Sequence, residues 1–69
     1  MLAELQRFDE AVKSYRESLA VKADNEYAWL NLGITLKSIG KNDEAKKALG
    51  EAKKLNPGNP EVDKALKGL

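Results

Sequence analysis

The triplet Asp9-Glu10-Ala11 returns as Asp43-Glu44-Ala45, 43 − 9 = 34 residues later. Lys13 and Lys47, Glu17 and Glu51, and Asn25 and Asn59 keep the same offset. An internal period of this size is the mark of a repeat array. Each unit of such an array is one supersecondary element that buries its apolar face only by stacking on a neighbour. This constrains the fold more tightly than composition does. A chain of 69 residues is one domain at most, near the size where a single core is only marginally stable.

The best-defined unit runs from Asn25 to Asn59. Trp29, Leu32, Gly33, Leu36 and Ile39 recur at helical spacing and share one side of a first amphipathic helix. Gly40 and Lys41 interrupt the pattern, and Asn42-Asp43-Glu44 restarts it. Ala45, Ala48, Leu49, Ala52 and Leu55 then form the apolar side of a second helix. Asn42 is expected to cap that helix, Asp43 and Glu44 suit its positive end, and Lys53 and Lys54 suit its negative end. Asn56-Pro57-Gly58 stops it, because proline lacks an N–H and restricts the residue before it. Gly33 lies between Trp29 and Leu36 on the apolar side, where a glycine costs about 1 kcal/mol against alanine. Its expected purpose is a close helix approach, together with the small residues Ala45 and Ala52.

The run Trp29-x-x-Leu32-Gly33-x-x-Leu36, followed by Ala45, Leu49, Ala52 and Pro57, resembles one tetratricopeptide repeat. With Glu26 as the opening residue, every one of these landmarks falls in register. Departures are Leu36 and Leu49 where an aromatic is common, Asn42 where a tyrosine is common, and Gly50 inside the second helix. The resemblance implies an all-α fold, a right-handed stack of antiparallel helix–turn–helix units.

The flanking segments continue this register less completely. Leu2, Leu5, Phe8, Ala11, Val12, Tyr15 and Leu19 recur at three and four residues, opposite Glu4, Arg7, Glu10, Lys13 and Glu17. Phe8 to Lys22 resembles the second helix of a preceding repeat. Gln6 replaces the glycine that would divide its two helices, so one continuous helix over roughly residues 2 to 22 is expected. Ala23 stands where proline would close that repeat, and Asp24 or Asn25 is expected to cap the Trp29 helix. Beyond Asn59, Pro60 suits a first helical position, and Glu61 and Asp63 favour a helix start. Val62, Leu66 and Leu69 share a side, and Asp63 stands in the place of the large aromatic. The segment 60–69 reads as a terminal capping helix on a complete repeat at 26–59, with residues 1–25 as the second half of a partial repeat, all in one domain.

No catalytic constellation is visible. The chain has no histidine and no cysteine, which removes the commonest general base, nucleophile and transition-metal ligands. Asp9-Glu10 and Asp43-Glu44 are sequence neighbours that do not face each other on a helix, so they read as dipole support. The glycines are scattered singly and form no phosphate loop. The expectation is a non-enzymatic protein that needs no cofactor and no metal. A net charge of +1 gives no strong pull toward nucleic acid or membrane. No apolar run approaches a bilayer's thickness, and Met1 to Leu19 carries charges too often for a signal peptide. A reducing, cytoplasmic setting is the default.

Two surfaces remain. Tyr27, Leu30 and Ile34 form a second apolar stripe on the Trp29 helix, nearly opposite the first. In tetratricopeptide arrays the first helices line a concave groove, and by resemblance its peptide-contacting positions are Tyr27, Leu30, Ile34, Lys37 and Ser38. Asn31 matches an asparagine that some members use to clamp a terminal carboxylate. Ile34, Glu61 and Ala65 do not supply the rest of that clamp, so an apolar or mixed segment is the expected guest. On this reading, charged residues at Leu30 and Ile34 abolish binding and spare the fold. The other reading packs the stripe under the first helix, the terminal helix or another copy of the chain. Self-association is a rival function, since a second copy would cover Leu5, Phe8 and Val12, by exchange of the long helix if the chain runs straight through Ala23 to Asn25. A repeat fragment with no ligand of its own is a third. The second surface is Lys46, Lys47, Lys53 and Lys54, stacked in two columns seven residues apart. It reads as a solvated face with Glu51 four residues from Lys47, or as a patch for acidic partners. With no aromatics between the lysines, nucleic acid is not the expected partner.

Overall fold

The computed structural model describes residues 2–69, with side chains from Arg7 onward. Four helices follow one another: α1 (Leu2–Val21), α2 (Glu26–Ser38), α3 (Asn42–Leu55) and α4 (Pro60–Lys67). The architecture is all-α, with the helices packed antiparallel as helix–turn–helix units. The molecule is a slab of 35 × 28 × 16 Å, about one and a half helix diameters at its thinnest. Helix α2 packs against all three others, whereas α1 and α3 both pack on α2 and, among the described residues, their backbones stay apart.

Local chemistry explains the boundaries. α1 contains no glycine or proline and runs unbroken through Gln6, ending with the Lys22 N–H on the Ser18 carbonyl at 2.9 Å. The chain then reverses in a tight turn instead of continuing straight. Asn25 caps α2, its side-chain oxygen accepting from the Ala28 N–H at 3.2 Å. Asn59 caps α4 in the same way, accepting from the Glu61 N–H at 2.9 Å, with Pro60 at the first helical position. The 34-residue offset between these asparagines is thus a distance from cap to cap.

The α2–α3 turn corrects one expectation. Gly40 takes a φ of +87°, where L side chains are strained. Its N–H reaches the Lys37 carbonyl at 3.1 Å, and the Lys41 N–H reaches the Leu36 carbonyl at 2.9 Å, the paired bonds of a Schellman ending. This ending uses up the residues before Asn42. Lys41 therefore occupies the cap position, with no side-chain bond, and Asn42 is already helical rather than the cap.

Two apolar clusters share α2. In the first, Val12 and Leu19 of α1 and Ala45 and Ala48 of α3 surround Ala28, Leu32 and Leu36. In the second, Leu30 meets Leu49 and Ala52 of α3 and Val62 and Ala65 of α4. Trp29 and Leu69 are half-buried against both. Val12, expected to need cover from a second copy, is buried within this chain, and Phe8 is half-buried. The side chains of Leu2 and Leu5 lie outside the described residues. Leu55, expected on the apolar side of α3, is 42% exposed, because it falls at the stripe's edge in the last turn.

Gly33 explains how α2 and α3 approach. A Cβ at Gly33 would stand 2.5 Å from Leu49 Cγ and 3.3 Å from the Ala45 carbonyl oxygen. The place of a side chain is already taken by Leu49, so glycine here is a packing requirement.

Candidate functional site

Tyr27, Asn31, Ile34 and Ser38 follow one another at four, three and four residues and form one column along the outer side of α2. All four are exposed, Tyr27 at 68% and Ile34 at 41%. The column spans about 16 Å at 1.5 Å per residue. Beside it, Ile34, Lys37 and Ser38 face Glu61, Lys64 and Ala65 across a shallow groove of about 420 Å³ between α2 and α4. The α4 wall was only half legible: Glu61 and Ala65 were placed in register by the repeat, but Lys64 was not singled out.

Leu30 does not belong to this open surface. It is 6% exposed and sits in the cluster beneath Val62 and Ala65. The expectation that charge at Leu30 would spare the fold is therefore corrected: α4 docks over this residue, and a charge there would be buried without a partner. Two other members are partly committed to the fold. The Ser38 hydroxyl donates to the Ile34 carbonyl of its own helix at 3.0 Å. The Lys37 ammonium lies where a Cβ of Gly68 would stand, at the carbonyl end of α4, which favours a cation.

Polar bonds that fix α2 were not foreseen. Glu26 accepts from the Asn56 amide at 3.1 Å and from the Asn59 amide at 3.3 Å, tying the start of α2 to the α3–α4 loop. The Trp29 indole N–H donates to the Ala23 carbonyl at 2.7 Å and ties α2 to the preceding turn. Such bonds join residues six to 33 apart in sequence, and no local spacing rule announces them. The lysines of α3 are also sorted differently from expectation. Lys53 pairs with Asp63 of α4 at 3.2 Å, and Glu51 pairs with Lys54 at 3.6 Å rather than with Lys47.

Among the described residues no group of three His, Cys, Asp or Glu side chains could hold a metal ion. No helix among them is long and apolar enough to cross a membrane.

Antiparallel helix pairs in a 34-residue register, with a glycine at the crossing and a cap opening each pair, define a helical repeat protein. The family model described as tetratricopeptide repeat matches residues 2–69, and the chain belongs to that family. Its repeats generally serve protein interaction and are typically non-catalytic. A TPR repeat-containing protein of Methanocaldococcus jannaschii is 38% identical over 52 residues. The match covers 75% of this chain and 9% of that protein, so the chain spans a small part of the relative's length. No solved structure matches the chain.

Proposed function

We propose that this chain binds a partner protein through a short apolar or mixed segment, a peptide or one helix face. The segment lies along the Tyr27–Ile34 column and the groove beside α4. The observation that carries this reading is the exposure of two large apolar side chains, Tyr27 and Ile34, seven residues apart on a helix whose opposite side is filled. Exposed apolar groups in line on a rigid helix are the usual anchors of a recognition surface. Asn31 adds hydrogen bonding, and Lys37, Lys64 and Glu61 give the groove mixed charge that orients the guest without dominating its affinity.

Residues 26–59 act in this reading as the complete repeat, residues 1–25 as the second half of a partial one, and residues 60–69 as the cap that covers Leu30. The protein works by binding and carries out no chemistry. The test starts from a peptide selected on this chain by display. Ile34→Asp should weaken its binding about tenfold or more, the effect of losing one buried anchor, with the melting temperature unchanged. Selected peptides that bind Ile34→Asp and Tyr27→Ala as tightly as the parent would refute the reading.

A further inference from the structure

The gap between α1 and α3 lies away from the α2–α4 groove. Because both helices pack on α2 while their backbones stay apart, they leave a hollow of about 540 Å³. Leu32 and Leu36 of α2 form its floor, and Leu19, Ala20 and Ala48 form its walls. The alanines keep the walls low, and Arg16 reaches across to Glu44 at 3.4 Å. Trp29, held by its bond to Ala23, lines this hollow and also a second one along α3. Lys46, Lys47, Gly50, Glu51 and Lys54 complete the second.

The charges around the two hollows do not balance. Glu44 is paired with Arg16 and Glu51 with Lys54. Lys46 and Lys47 have no carboxylate within 4.0 Å among the described residues, and Asp43, one turn earlier, pairs with neither. With Glu44 and Glu51 already paired, the lining charges left without a partner among the described residues are those of Lys46 and Lys47, and beside an apolar floor they complement an apolar ridge flanked by carboxylates.

We propose that the α1–α3 gap is a second docking site, which takes an acidic amphipathic helix of a partner protein. Large aliphatic side chains of that helix enter the hollow over Leu32 and Leu36, and its carboxylates meet Lys46 and Lys47. This site is independent of Tyr27 and Ile34, so the chain can hold two partners on opposite sides of α2. Binding here weakens as salt rises, because Lys46 and Lys47 are exposed.

The test is an NMR titration of the whole chain with a capped peptide of repeated Glu-Glu-Leu-Leu blocks. The Trp29 indole N–H is the reporter. The expected result is movement of that signal, with affinity lowered about tenfold by the double variant Lys46→Glu/Lys47→Glu and unchanged by Ile34→Asp. Both lysines are exposed, so the double variant keeps the fold, which circular dichroism verifies. Three results would each overturn the proposal. The matching Lys-Lys-Leu-Leu peptide could move the signal as strongly, or Ile34→Asp could remove binding while the lysine variant does not. An oligo-deoxythymidine could displace the peptide from the same signals, which would make the lysines a nucleic-acid surface instead.

Discussion

Toward α3, helix α2 presents Gly33, and a single added carbon would lie 2.5 Å from Leu49. Toward α4 it presents Leu30 and Ile34, one turn apart, of which Leu30 is buried and Ile34 is not. The first seam is closed at Gly33 because a missing side chain lets the two helices meet. The other is closed over Leu30 and opens into a groove where Ile34, Lys37 and Ser38 face Glu61, Lys64 and Ala65. The difference separates what holds the fold from what is free to meet a partner, and it does so within one helix.

The largest effect should come from Leu30→Ala, which removes a buried leucine from the α2–α3–α4 cluster. A loss of about 2–5 kcal/mol is expected, enough to unfold much of so small a chain. Ile34→Ala, one turn away, should stay within about 0.5 kcal/mol. Urea unfolding followed by circular dichroism measures both, and equal losses would erase the contrast. Next is Gly33→Ala. Alanine is the better helix former by about 1 kcal/mol, yet overpacking against Leu49 should leave a net loss of about 1–3 kcal/mol. A rise in melting temperature would mean that Leu49 can move aside and that the seam is loose. A smaller effect than at Gly33 belongs to Gly50, which sits inside α3 with nothing within 4 Å of a would-be Cβ. Gly50→Ala should therefore stabilise the chain by about 0.5–1 kcal/mol, the opposite sign to Gly33→Ala.

Much of this fold was legible from short-range rules. Asn25, Asn59 and Pro60 mark helix starts because a cap acts within two or three residues of its own position. The close role of Gly33 was readable because a glycine amid large apolar residues at helical spacing has few other reasons to be there. The capping reading of Asn42 failed because the left-handed Gly40 and the backward bonds from the Gly40 and Lys41 N–H groups displaced the helix start by one residue. The sequence put Glu51 within reach of Lys47, and in the fold its carboxylate pairs with Lys54. For the candidate site, periodicity placed Tyr27, Leu30 and Ile34 on one stripe but could not tell which of them α4 would cover.

The amino-acid sequence by itself determined the helices, their order, the repeat register and the glycine crossing, since each is encoded within one or two turns of chain. Tertiary structure alone decided that Leu30 is core and Ile34 is surface, that Glu26 ties α2 to the α3–α4 loop, and that α1 and α3 stand apart. Those outcomes depend on which face of one helix lies against another. That placement is set by the packing of side chains distant in sequence, which no local pattern records.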